Sequence, residues 1–315
     1  MNWRWAFKVA ISAGLLGWLL GRSDLSQIWA GVGRLDALVL VGAAGIYFAA
    51  VVLAAIKWRL LLAEYPVRTL AAVTVIGNFY SIVLPGQIAG EIVKAYRLGK
   101  GRADAERIAA SVVVDKFTGL LALVILGVAG INLTALRIPE PIVIGLTALL
   151  LAGFALMMSL RLGLMYVFAR RACEAAGRVL PSRPSIPAHL FLFIDSWRDF
   201  IGRPLTVAAS IALGLILQSL YIVVMVIIAA KIGIELKMAD WLWVFAVVSM
   251  AVLLPLSLGG IGIREGAFVG VLGYLRVPPE HALALSLTIF ALQILVASTG
   301  AVLDLSRVGK APGNP

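Results

Sequence analysis

Few ionisable side chains fall inside the apolar stretches of this sequence, and those that do gather at three places. Glu91, Lys94 and Arg97 follow the break Pro85-Gly86-Gln87; Asp115 and Lys116 interrupt Val112–Gly119; Arg264 and Glu265 follow Pro255 and the glycines Gly259, Gly260 and Gly262. An ionisable group at the centre of a membrane helix costs about 2.5–3.5 kcal/mol on insertion scales, so it must face a cavity or a partner. Gln87, Glu91 and Lys94 stand at i, i+4 and i+7 on one face of a half-helix, with Arg97 close by. If its N-terminus lies deep in the membrane, its free N–H groups and positive dipole end suit a phosphate or carboxylate. The alternative is an interfacial helix whose charges snorkel to water. Asp115 shares a polar stripe with Ser111 and Thr118; either it serves a site, with Lys94 or Arg264 as partner, or it forms a salt bridge that pins two helices. Arg264 is a permanent cation able to fork onto a phosphate, and the glycines before it permit close backbone approach. Packing of the Gly266-x-x-x-Gly270 type is the competing use for glycine here. Gln218 and Gln293 read as interhelical glue rather than ligands.

The elements that position these groups follow from composition. The chain has 315 residues, 62% hydrophobic and 14% charged, against about 45–50% and about 25% for a soluble domain. The fold class is all-α, a polytopic integral membrane protein. Stretches near the roughly 20 apolar residues of a span run over 5–20, 37–56, 108–136, 139–160, 205–230 and 281–303. Segments 70–98 and 240–275 are apolar but broken by Pro85-Gly86 and Pro255. We expect six full spans and two re-entrant hairpins, with eight full spans as the alternative. Paired interruptions of this kind mark the binding site of a secondary transporter.

With both termini in the cytoplasm, nineteen basic residues fall inside, Lys57 and the seven arginines of 161–203 among them. Only Arg22, Arg34, Arg137, Lys231, Lys237 and Arg276 fall outside. This is the positive-inside bias of a cytoplasmic-membrane protein. The two hairpins then enter from opposite faces, and the chain reads as two inverted halves, 1–137 and 138–310. Between them, Leu190, Phe193, Ile194, Trp197 and Ile201 recur at helical spacing, an amphipathic helix expected along the inner membrane surface.

Other chemistries lack their residues. There is no G-x-x-x-x-G-K-[ST] loop, G-x-S-x-G elbow or H-E-x-x-H. His189 and His281 are too far apart in sequence to suggest a metal site, and Cys173 is the single cysteine. No cofactor and no metal are expected. The net charge of +11 is explained by the loops between spans rather than by nucleic acid.

At these residues the chain resembles the flippase-like membrane region of the lysylphosphatidylglycerol synthase family, which includes the multiple peptide resistance factor. The resemblance rests on Leu84-Pro85-Gly86 with Gly90-Glu91-x-x-Lys94-Ala-Tyr-Arg97, on Asp115-Lys116-x-x-Gly119, and on Pro255-x-Ser257-x-Gly259-Gly260-x-Gly262-x-Arg264-Glu265. The family usually has arginine where this chain has Lys94 and Lys116; lysine keeps the charge without the planar fork. The resemblance implies a lipid-translocating or lipid-binding module without lipid-modifying activity of its own. Its partner is a membrane phospholipid or lipid-linked substrate, of aminoacyl-phosphatidylglycerol or polyprenyl-phosphate type. Lys94, Arg97, Arg264 and the three glycines are expected around the headgroup, with Glu91, Asp115, Lys116 and Glu265 balancing charge or recognising an amine. Two rivals remain: a non-transporting partner that presents lipid to a separate enzyme, and a polytopic transferase using Glu91 or Asp115 as base.

Overall fold

Prolines, glycines and acidic caps cut the chain into helices of unequal length. The computed structural model describes residues 3–84, 88–161, 167, 171, 185–254, 257 and 259–308. Pro85, Gly86, Pro255 and Cys173 lie outside the described residues. Among those described there are twelve helices and no strand: α1 (Trp3–Gly21), α2 (Leu25–Gly33), α3 (Ala37–Arg59), α4 (Val67–Val83), α5 (Ala89–Gly99), α6 (Ala105–Leu133), α7 (Glu140–Arg161), α8 (Ser185–Ile201), α9 (Pro204–Ile232), α10 (Met238–Leu253), α11 (Ile263–Tyr274) and α12 (Pro279–Val308). Asp24 accepts from the backbone of Ser26 to start α2, a short helix with too few residues for its apolar pattern to stand out in the sequence. Pro204 opens α9, and Gly233 closes it in the left-handed conformation, the usual division of labour between these residues. The chain is an all-α polytopic membrane protein: α3, α6, α7, α9 and α12 are each long and apolar enough to cross a bilayer. The segment expected as a first span, 5–20, is α1, and its described apolar part from Ser12 is shorter.

Both interrupted segments are helix–break–helix hairpins. In the first, α4 and α5 pack antiparallel through Gly77 and Gly90. A Cβ on Gly77 would stand 2.5 Å from Lys94 Cγ, and one on Gly90 would strike Ser81 Oγ and the Gly77 carbonyl. Those backbone atoms cannot move without opening the hairpin. Gly90→Ala is therefore expected to lower stability by about 1–3 kcal/mol or more, read as a fall in melting temperature in detergent. A normal melting temperature would show that the two arms are not held this tightly.

The hairpins enter the bundle from opposite ends. The first has its mouth where Tyr65 donates to Asp104 and Arg107 pairs with Glu64. The second has its mouth at the far end of α6, where Thr134 donates to Asp240 and the Tyr274 hydroxyl to the Arg137 carbonyl. Beside the two breaks the hairpins approach each other inside: a Cβ on Gly259 would lie 3.0 Å from the Ile82 carbonyl oxygen. Packing is reciprocal, since α4 lies on α12 and α10 lies on α6, while α3 and α9 pair with each other. The main core, including Trp241, Trp243, Val244, Met225 and Leu283, fills the space among α3, α9, α10 and α12.

The amphipathic segment forms α8, and its apolar side is covered by protein. Phe200 and Ile201 are buried in a second cluster with Trp58 and Ile108, and Phe193 and Trp197 pack against it. The expected stripe thus docks largely on the first part of α6. The side chain of Leu190 lies outside those described.

Candidate functional site

Where the hairpin tips approach, α3, α4, α5, α6, α9, α10, α11 and α12 surround a cavity of about 360 Å³. Its charged lining is Lys57, Glu91, Lys94, Asp115, Lys116 and Arg264, four cations against two carboxylates. Five of these six were expected from the sequence as site residues, and groups from both halves of the chain face one space.

Lys57 was not expected there. It reads in the sequence as a flanking charge of the positive-inside type, but it is buried on the last turns of α3. Its ammonium lies 2.7 Å from Asp115 Oδ1 and donates to the Asp115 carbonyl at 2.5 Å. This corrects both the placement of Lys57 in a loop and the choice of Lys94 or Arg264 as the Asp115 partner. Tyr47, Ala54 and Lys57 share a helix face, and all three line the cavity. Asp115 does pin two helices, and its stripe-mates are committed too. Ser111 receives the Trp58 indole N–H at 2.9 Å, and Thr118 pairs with Ser210 at 2.9 Å.

One turn of α5 brings Glu91 and Lys94 within 2.7 Å, and Lys116 approaches the other Glu91 oxygen at 3.6 Å. Lys94 also sits 5.1 Å from the Trp58 ring centroid, where a cation gains from the ring face. Arg97, one turn further on, does not line the cavity. Its guanidinium is 2.6 Å from Asp304, which also accepts from Tyr80, so Arg97 ties the mouth of the first hairpin to α12.

The second hairpin separates two neighbours that look alike in sequence. Glu265 does not face the cavity: one oxygen accepts the Gly262 N–H at 2.6 Å and the other accepts from Ser286 at 3.1 Å. It caps α11 at the third helical position, and its carboxylate occupies the helix N-terminus where an anionic headgroup was expected. Gly262 has φ 84° and backs onto Leu15 and Ser12 of α1; Gly259 and Gly260 also have positive φ. The three glycines shape the turn rather than line the cavity. A Cβ added to Gly266 or Gly270 would meet nothing within 4 Å, so no close helix contact among the described residues requires glycine at that pair.

Arg264 itself is 4% exposed. Its Nη2 donates to the Gly259 carbonyl at 3.0 Å and its guanidinium lies 4.4 Å from the Phe290 ring centroid. Nη1 is buried without a hydrogen-bond partner among the described residues. A buried, unsatisfied donor on a permanent cation is expensive. Gln218 donates to the Gly119 carbonyl and Gln293 to the Tyr47 hydroxyl, the interhelical role expected of both, although each also lines the cavity. Among the described residues no group of three His, Cys, Asp or Glu comes together as metal ligands.

A bundle of long apolar helices around a cationic chamber, with two broken hairpins reaching into it, defines a polytopic membrane protein. The chain belongs to the family described as the lysylphosphatidylglycerol synthase TM region, whose model matches residues 5–300. No curated protein and no solved structure matches it.

Proposed function

We propose that the protein is a flippase-like transporter that moves a lipid with an anionic or lipid-linked headgroup across the cytoplasmic membrane. The observation that carries this is the chamber itself, with an excess of two positive charges and an Arg264 Nη1 that has no hydrogen-bond partner among the described residues. The headgroup sits there against Arg264, Lys94 and Lys116 while the acyl or prenyl tail stays in lipid. The two halves act as an inverted repeat, 1–137 and 138–310, with both termini cytoplasmic. In support, each half runs through a hairpin whose longer arm packs on the last helix of the other half, a reciprocal arrangement of the kind two inverted repeats produce. No lipid-modifying chemistry is assigned to Glu91 or Asp115, because both are already held by lysines.

Reconstitution into vesicles tests this reading. Fluorescent lipids labelled on the acyl chain, with intact headgroups, should cross the bilayer without covalent change. A covalently altered lipid would replace transport with an enzyme, and neither change nor crossing would leave a lipid-presenting partner. The inverted arrangement has its own test in a Cys173-free background. Lys100→Cys and Gly273→Cys, at the two hairpin mouths, should label from opposite sides of intact vesicles. Labelling from one side would remove the inversion.

A further inference from the structure

The charges of the chamber are mostly neutralised before any ligand arrives. Lys57 holds Asp115, and Lys94 and Lys116 hold Glu91; Glu265 is spent on the α11 cap. Both carboxylates of the lining already face lysines, although Oε2 of Glu91 accepts no hydrogen bond among the described residues; an ammonium group would compete with those lysines and meet a net positive field. Nη1 of Arg264 is buried without a hydrogen-bond partner among the described residues, enough to anchor one phosphate.

The remaining polar lining is uncharged. Among the described residues the Thr74 hydroxyl is buried without a hydrogen-bond partner, and Asn78, Tyr221 and Ser249 also line the cavity. Tyr47 and Tyr221 stand with ring centroids 5.3 Å apart at 43°, and both rings line the cavity. Aromatic faces accept the C–H side of a polyol, while hydroxyl and amide groups take its oxygens. A bare phosphate would leave most of the chamber, and all of these groups, unused; its volume is that of a pocket for a larger, oriented ligand.

Resting on the reading of this cavity as a headgroup chamber, we infer that it takes a phosphate joined to an uncharged polyol, glycerol or a sugar, and disfavours headgroups that carry an ammonium. Arg264 holds the phosphate, and Tyr221, Asn78, Thr74 and Ser249 hold the polyol. The same chemistry exists in a lipid headgroup and in a soluble polyol phosphate.

The test is binding to the intact, detergent-purified protein, by thermal-shift titration and native mass spectrometry. One set of probes is phosphatidylglycerol, phosphatidic acid and lysyl-phosphatidylglycerol with matched acyl chains. A second is a glucosyl-phosphoryl-polyprenol against the bare polyprenyl phosphate, and sn-glycerol 3-phosphate is the soluble probe. In at least one set the uncharged-polyol member should bind roughly tenfold tighter or more than its partners, since each lost hydrogen bond weakens binding several-fold. Tyr221→Phe and Asn78→Ala, which change little volume, should weaken the polyol member several-fold and leave phosphatidic acid unchanged. Equal or tighter binding of the bare phosphate or of the lysyl lipid overturns the inference, as does no binding by any probe. If only glycerol 3-phosphate binds, the ligand class stands and the lipid-transport reading falls. If phosphatidic acid binds and crosses as well as phosphatidylglycerol, transport stands and the polyol specificity falls.

Discussion

Arg264→Gln is expected to give a folded, membrane-inserted protein whose lipid translocation is reduced about 10- to 150-fold, the equivalent of one hydrogen bond to a charged group at about 1.5–3 kcal/mol. The expectation follows from what the guanidinium does not touch. Had Arg264 been paired with a buried carboxylate, removing it would strand that charge and cost about 3–5 kcal/mol of stability. Its neighbour Glu265 is instead held by the Gly262 N–H and Ser286, and Asp115 and Glu91 are held by lysines. What the variant loses inside the protein is one bond to the Gly259 carbonyl and the contact with Phe290, together about 1–2 kcal/mol. That loss is offset in part because an unsatisfied buried donor is removed with it. Arg264→Lys keeps the charge without the fork and should recover only part of the transport. Melting temperature in detergent and translocation in vesicles, measured on the same preparations, separate the two cases. Normal stability together with normal translocation would sink the assignment of this residue to the site.

The same comparison shows what the sequence could and could not disclose. Both breaks were legible because a proline with a glycine next to it or a few residues on stops a helix even inside an apolar run. The observed arms, 67–83 with 89–99 and 238–253 with 263–274, lie within a few residues of the expected 70–98 and 240–275. The Glu91–Lys94 pair was legible for the same local reason, two charges one turn apart. The Glu265 cap was legible but missed: Gly262 to Glu265 is the spacing at which a carboxylate reaches back to the first free N–H. Lys57 was not legible as a partner of Asp115, because 58 residues separate them and only tertiary packing of α3 against α6 makes them neighbours. A lysine at the end of an apolar run reads as a loop anchor until something shows which way it points. Nothing local marked Thr74 or Asn78 either, since small polar residues in membrane helices serve packing as often as ligands.

Lys57 and Asp115 carry the largest stability effect expected in this protein. The ammonium is 2% exposed and the carboxylate 14%, and Lys57 also satisfies the Asp115 carbonyl. Lys57→Met leaves a carboxylate buried without its cation, and Asp115→Leu leaves the ammonium without its anion. Each single change should cost about 3–5 kcal/mol and show as a marked fall in melting temperature and in yield of folded protein. The double variant Lys57→Met/Asp115→Leu removes both charges, fills the space with apolar atoms, and should return to within about 1 kcal/mol of the parent. Its chamber keeps Lys94, Lys116 and Arg264 against Glu91, so the excess of two positive charges is unchanged. Translocation by the double variant should therefore persist near the parental rate. If the double variant is as unstable as the singles, the pair is not what stabilises α3 against α6. If it is stable but no longer moves lipid, one of the two charges must act on the headgroup itself, because the net field of the chamber has not changed.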